Sequence, residues 1–187
     1  MGDSLFIFMN SMLVNNPLVV LFLGLCSFVG VSKKINEAAS MGIAVILVTF
    51  ISQQITFVLN YPLEYFAVEY LRLMVFISVV ASLVQIMDIV MKKSLRGIHQ
   101  LFGIYLALIT TNCLVLYVCI AQVNKGYTYF ESTALGLGTG CGYLLMMVIM
   151  AGIREHLEYS DPPEFVKGTP LILLIAGILS LMIQGSA

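Results

Sequence analysis

The stretch LITTNCLVLYV, Leu108 to Val118, lies inside a run from Gly97 to Asn124 that carries no Lys, Arg, Asp or Glu. Such a run reads as a membrane helix, because about 20 apolar residues cross the hydrocarbon core. Two threonines, an asparagine and a cysteine at its middle do not suit a plain span. A straight helix of this length would measure about 43 Å at about 1.5 Å per residue, against a core of about 30 Å. Taken alone, such a run fits a helix that tilts or extends into the interface as well as one broken at TTNC; a matching anomaly in the first run favours the break. Thr111 and Asn112 then cap a second half-helix that places Cys113 in its first turn.

The rest of the chain reads in the same solvent. Of 187 residues, 60% are hydrophobic and 10% charged, where a soluble domain carries roughly 25% charge; the mean hydropathy is +1.00. A net charge of −1 gives no pull toward nucleic acid. MGDSLFIF has an acid where a secretory leader has a basic region, so no removable signal peptide is expected. Six apolar segments stand out, at about Ser4–Val31, Ala38–Asn60, Leu71–Val90, Gly97–Asn124, Ser132–Ile153 and Thr169–Gly185. In lipid, runs this long close their backbone hydrogen bonds as helices. The alternation of a barrel strand is missing. The expectation is an all-α integral membrane protein of six transmembrane helices, with 1–187 as a single membrane domain. The short connections leave no room for a soluble catalytic domain.

Basic residues orient the bundle. Lys33, Lys34, Lys92, Lys93, Arg96, Arg154 and Lys167 fall on odd-numbered connections or their flanks, and only Arg72 and Lys125 on the other side. This predicts odd loops in the cytoplasm and both termini outside it, in a bacterial or archaeal cell membrane.

Three helices per half make related halves inverted. Repeat one covers about 1–93 and repeat two about 94–187. Asn16-Pro17-Leu18-Val19 resembles Asn112-Cys113-Leu114-Val115, Val31-Ser32-Lys33 resembles Val123-Asn124-Lys125, and Glu37 precedes Gly42 as Glu131 precedes Gly136. The first run is anomalous in the same way as the fourth, with 29 uncharged residues between Asp3 and Lys33. Helices 1 and 4 are therefore both expected to be interrupted. In the asparagine register the first break falls at Asn16–Pro17. If Cys26 is matched to Cys113 instead, it falls at Gly24.

Four cysteines, Cys26, Cys113, Cys119 and Cys141, all lie in predicted helices, which argues against a disulfide framework. Cys119 and Cys141 read as small apolar fillers. Cys113, at the positive end of a half-helix, is poised as a thiolate metal ligand. Cys26, in GLCSFVG, meets it only if the first helix is unwound or displaced. Two thiolates do not complete a [2Fe–2S] site, which takes four, so any cluster needs ligands from another chain.

Other features read structurally. GLGTGCG, Gly136 to Gly142, is a small-residue packing face with Ala134, Gly138 and Gly142 in register, not a dinucleotide loop. Gln53 and Gln54 line an ion path or, the preferred reading, bond across helices. Asp88 and the histidines His99 and His156 lie toward cytoplasmic helix ends. Glu37 and Glu131 suit the dipoles of the helices they open. Asp161 to Glu164, DPPE, forms a turn that can dock a partner.

VNNPLVVLFLGLCSFVGVSKK, LFGIYLALITTNC and YSDPPEFVKGTPLILLIAGILSLM resemble the small six-helix membrane subunits of the Rnf and Nqr ion-pumping redox complexes over essentially the whole chain. VNNP and IREHL bring it nearest to the A-type subunit of Rnf, with the E-type subunit of Nqr the near alternative. The resemblance implies a membrane component of an ion-translocating ferredoxin:NAD oxidoreductase, coupled to Na⁺ or H⁺ transport. It implies an intramembrane [2Fe–2S] cluster with Cys26 and Cys113 as two ligands and two more from a homologous subunit of opposite topology. Flavins and further iron–sulfur centres belong to other subunits, and this chain has no complete active site. The residues alone favour a cofactor-free inverted-repeat transporter, with a structural anchor as a further reading.

Overall fold

The uncharged first run does not continue as one helix. In the computed structural model, which describes residues 2–31, 35–65, 69–94, 108–109, 112–158 and 169–185, it opens as α1, Gly2–Met9, and widens into a π-helical turn over Asn10–Val14. Asn15 N donates to Asn10 O at 2.7 Å, the five-residue pairing of a π turn. Asn16 then takes an extended backbone (φ −69°, ψ 116°), and its Oδ1 accepts from Leu18 N at 3.1 Å. A new helix, α2, Pro17–Val20, starts there, with proline at a position whose N–H has no helical partner in any case. The chain breaks again almost at once. Phe22 and Gly24 have positive φ, 54° and 87°, and α3, Leu25–Val31, leaves at 87° to the segment before it. Both candidate breakpoints of the first run, Asn16–Pro17 and Gly24, are used.

The remaining elements of the described residues are longer. They are α4, Ile35–Tyr65, α5, Glu69–Ser94, α6, Cys113–Asn124, α7, Tyr129–Glu158, and α8, Thr169–Gly185. No strand occurs among the described residues. Among the described residues two stretches, Ile35–Leu63 and Tyr129–Leu157, are long and apolar enough to cross a membrane, and the bent first pair makes a third. Leu71–Ile86, Cys113–Asn124 and Pro170–Gly185 are shorter apolar helices. Lys33, Lys34, Arg96, His99, Thr111, Asp161 to Glu164 and Lys167 lie outside the described residues, as do the side chains of Asp88, Lys92 and Lys93. Leu5, Phe6, Leu181 and Met182 are among the large apolar side chains on the outer surface, where lipid would solvate them.

The core forms where α4 crosses α7, around the fully buried Met41, Phe76, Leu114, Tyr143, Met147 and Met150. Glycines of α7 set how closely its neighbours approach. A Cβ on Gly138 would stand 2.7 Å from Phe8 O, and one on Gly142 would stand 2.6 Å from Met12 O. The expected stripe of Gly138 and Gly142 thus seats α1 and the π turn. A second stripe faces the other way: Gly136 lies against the Gln53 carboxamide, and a Cβ on Gly140 would stand 3.3 Å from Ile46 Cα. One glycine-rich turn of sequence therefore serves two interfaces, as small residues do where helices pack without a hydrophobic drive.

Gly142→Val is expected to lower the thermal midpoint of the purified assembly by about 4 °C or more, because a backbone carbonyl cannot yield as a flexible side chain can. Gly152→Ala, with nothing within 4 Å of the added carbon, is the control that leaves it unchanged.

Candidate functional site

Asn112 opens α6 in the way Asn16 opens α2. Its backbone is extended (φ −73°, ψ 108°) and its Oδ1 accepts from Leu114 N at 3.1 Å. The fourth run is broken where TTNC predicts, and Cys113 is the first residue of the helix that follows. Asn112 performs the capping; Thr111 lies outside the described residues.

Cys26 is the second residue of α3, so each of the two cysteines stands in the first turn of a helix that follows a break. The breaks touch. A Cβ on Gly24 would stand 3.1 Å from Asn112 Oδ1 and 3.5 Å from Tyr143 Cε2. The residue two before Cys26 is thus packed on the residue just before Cys113. Farther along α3, a Cβ on Gly30 would meet Leu108 Cδ1 at 3.5 Å. The displacement that would let the first cysteine approach the second is the 87° turn at Leu21 to Gly24.

That turn is held by three buried hydrogen bonds and a part-buried one farther along α3. Tyr143 OH donates to Ser27 Oγ at 2.8 Å, and Ser27 Oγ donates to Gly24 O at 2.9 Å. Ser180 Oγ, from α8, donates to Val19 O at 2.8 Å just before the turn. Arg154 Nη1, near the end of α7, donates to Val29 O at 3.2 Å on α3. These supports are not visible in the sequence, because a lone serine and tyrosine in apolar runs carry no positional signal. The glycine in GLC is the one clue the sequence offers.

Cys26 and Cys113 are exposed on this chain, Cys119 is buried in the core and Cys141 is half-buried. Among the described residues no three His, Cys, Asp or Glu side chains gather as a metal cluster. Asn112 Nδ2, beside Cys113, is buried without a hydrogen-bond partner. Glu131 accepts from Thr128 N at 2.9 Å, the reciprocal cap that suits its position. Among the described residues Gln53 is bonded across helices through its backbone oxygen, which receives Gln122 Nε2 at 3.5 Å. Its side-chain Oε1 has no partner.

The family model described as Rnf-Nqr subunit, membrane protein, matches residues 4–186, a range that includes both breaks and both exposed cysteines. The chain belongs to the Rnf-Nqr family of membrane subunits. Among its Rnf-Nqr relatives is the A subunit of the Na⁺-translocating ferredoxin:NAD⁺ oxidoreductase complex of Acetobacterium woodii, 40% identical over 97% of this chain and 95% of that one. The A subunit of the ion-translocating oxidoreductase complex of Syntrophotalea carbinolica is 39% identical over 100% of this chain and 97% of its own length. Its counterpart in Cronobacter sakazakii is 40% identical over 99% and 96%. The resemblance to the A-type subunit of Rnf, drawn from VNNP and IREHL, is therefore sound.

Proposed function

We propose that this chain is the A-type membrane subunit of an ion-translocating ferredoxin:NAD oxidoreductase, and that Cys26 and Cys113 are its two ligands to a [2Fe–2S] cluster inside the membrane. The observation that carries the reading is the packing of Gly24 on Asn112, which apposes two broken helices with an exposed thiol in the first turn of each. Two soft thiolates suit iron, and they leave a four-ligand set half filled. The other two ligands come from a homologous subunit of opposite topology, docked on the face where the thiols are exposed. Other subunits of the complex carry flavin and further iron–sulfur centres. The chain crosses the membrane six times as two inverted repeats, with both termini outside the cytoplasm.

When bound, such a cluster supplies one-electron redox chemistry. The protein's part is electrostatic. Charge in a lipid-like interior is costly unless dipoles meet it, and here two helix N-termini direct their positive ends toward the thiols. Asn112 Nδ2, buried and unpartnered, provides a donor beside them. Tyr143 and Ser27 hold the Gly24 turn so that Cys26 stays in place.

Cys26→Ala tests the reading in the purified complex. One [2Fe–2S] EPR signal and its iron should disappear while the other centres remain. Unchanged iron content and an unchanged spectrum would reject the assignment.

A further inference from the structure

A second polar cluster lies at the far end of α6 from Cys113. Gln122 is 2% exposed, and its Nε2 donates to Thr56 Oγ1 at 2.9 Å and to Gln53 O at 3.5 Å. A backbone carbonyl only accepts, so the nitrogen of this carboxamide must face Gln53 O. Gln122 Oε1 is turned away from that bond, buried and without a partner. Gln53 Oε1 on α4 and Ser132 Oγ on α7 are in the same condition, each in a residue 1% exposed. Gly136, one turn beyond Ser132, lies directly against the Gln53 carboxamide. Helices α4, α6 and α7 thus each carry a buried, unpartnered oxygen, and they are linked through the Gln122 bond to Gln53 O and the contact of the Gln53 carboxamide with Gly136. Such buried groups call for a partner, and an ordered water or an ion is one.

An approach to this locality exists. A cavity of about 770 Å³ is lined by Asn60, Tyr61, Arg72, Gln122, Gly126 and Tyr127, at the end of the bundle where α4 terminates. Tyr61 and Gly126 are exposed, whereas Gln122 is buried. Asn60 Oδ1, also on this lining, is a further buried oxygen without a partner. Asn60 and Gln122 both line the cavity, and Gln122 in turn bonds to Gln53 O.

The geometry points to a site for a largely dehydrated monovalent cation at Gln53, Gln122 and Ser132, entered through this cavity. Carboxamide and hydroxyl oxygens take up no proton near neutral pH, so the cluster cannot serve as a proton acceptor. They replace a hydration shell by dipoles, as backbone carbonyls do in ion filters. Arg72 lies on the same lining and makes its own contacts; its positive charge opposes entry, so the oxygens must offset it as well as the lost hydration. A cation there is held by dipoles alone, weakly enough to leave again. The inference rests on the reading of the chain as part of an ion-translocating complex, but not on the cluster at the cysteines.

The test uses the purified complex, with Na⁺ and then Li⁺ as probes. The ion concentration for half-maximal ferredoxin-driven NAD reduction is measured in the parent, in Gln53→Met and in Ser132→Ala, with ²³Na NMR line broadening as the binding readout. Losing one oxygen ligand should raise that concentration about tenfold in each variant, with the EPR signals unchanged. Ser132→Ala removes one oxygen and almost no volume, so it decides the matter if Gln53→Met fails to assemble. A parent that neither binds nor responds to Na⁺ or Li⁺, or variants that match the parent, would overturn the site. A shifted ion response in a complex with no signal assignable to Cys26 and Cys113 would instead sink the cluster reading and leave this one standing.

Discussion

Cys113→Ala is expected to slow ferredoxin-driven NAD reduction by more than about a hundredfold while leaving assembly and heat stability near the parent's. Loss of an orienting group around a metal already costs 10–100-fold, and this change removes a ligand. The fold has little reason to respond. Alanine is the best helix former, the cap on α6 is made by Asn112 and Leu114 N, and the Cys113 side chain is exposed. Cys119→Ala sets the contrast, since that side chain is 0% exposed and sits in the core. It should cost stability through a small void and leave the EPR spectrum alone. The measurement is steady-state NAD reduction beside dye reduction by the NAD-binding end of the complex, which should persist in both variants. If Cys113→Ala keeps activity within twofold of the parent, the thiol carries no electrons and the exposed pair is incidental.

The asparagines are the legible part of this site. Asn16 and Asn112 reach the same backbone conformation and the same 3.1 Å cap bond to the amide two residues on, because asparagine before a helix competes well for that amide. For the turn in the first run the sequence offers both Asn16–Pro17 and Gly24, and one run uses both. Proline and asparagine announce the first break. The second needs Phe22 at φ 54° as well as Gly24, and a phenylalanine held at positive φ by its surroundings leaves no mark in a sequence. The π turn at Asn10–Val14 is equally silent. Spacing of four finds Gly138 and Gly142 but not the second glycine face, which appears only once α4 is seen crossing α7. Gln122 gives no signal either, because one glutamine in an apolar helix has no partner until Thr56 is placed beside it.

Gly24→Ala combines two penalties at the point where the cysteines' segments meet. At φ +87° an L-residue costs about 1–2 kcal/mol. The new methyl would also stand 3.1 Å from Asn112 Oδ1, the atom that caps α6. Asn112 can move aside only by loosening its bond to Leu114 N, and a lost cap costs about 0.5–2 kcal/mol. Each response separates the turn before Cys26 from the helix start at Cys113. The expected result is a complex with most of the iron assignable to this pair missing and NAD reduction lowered about tenfold or more. Two other glycines divide the causes. Gly126→Ala imposes positive φ, 59°, with nothing within 4 Å, and Gly30→Ala adds a carbon at an ordinary 3.5 Å from Leu108. Backbone strain alone, or a methyl on α3 alone, should leave iron content as it was. Equal iron in all three variants would mean that the contact between Gly24 and Asn112 does not set the position of the thiols, and the apposition of the two breaks would lose its functional meaning.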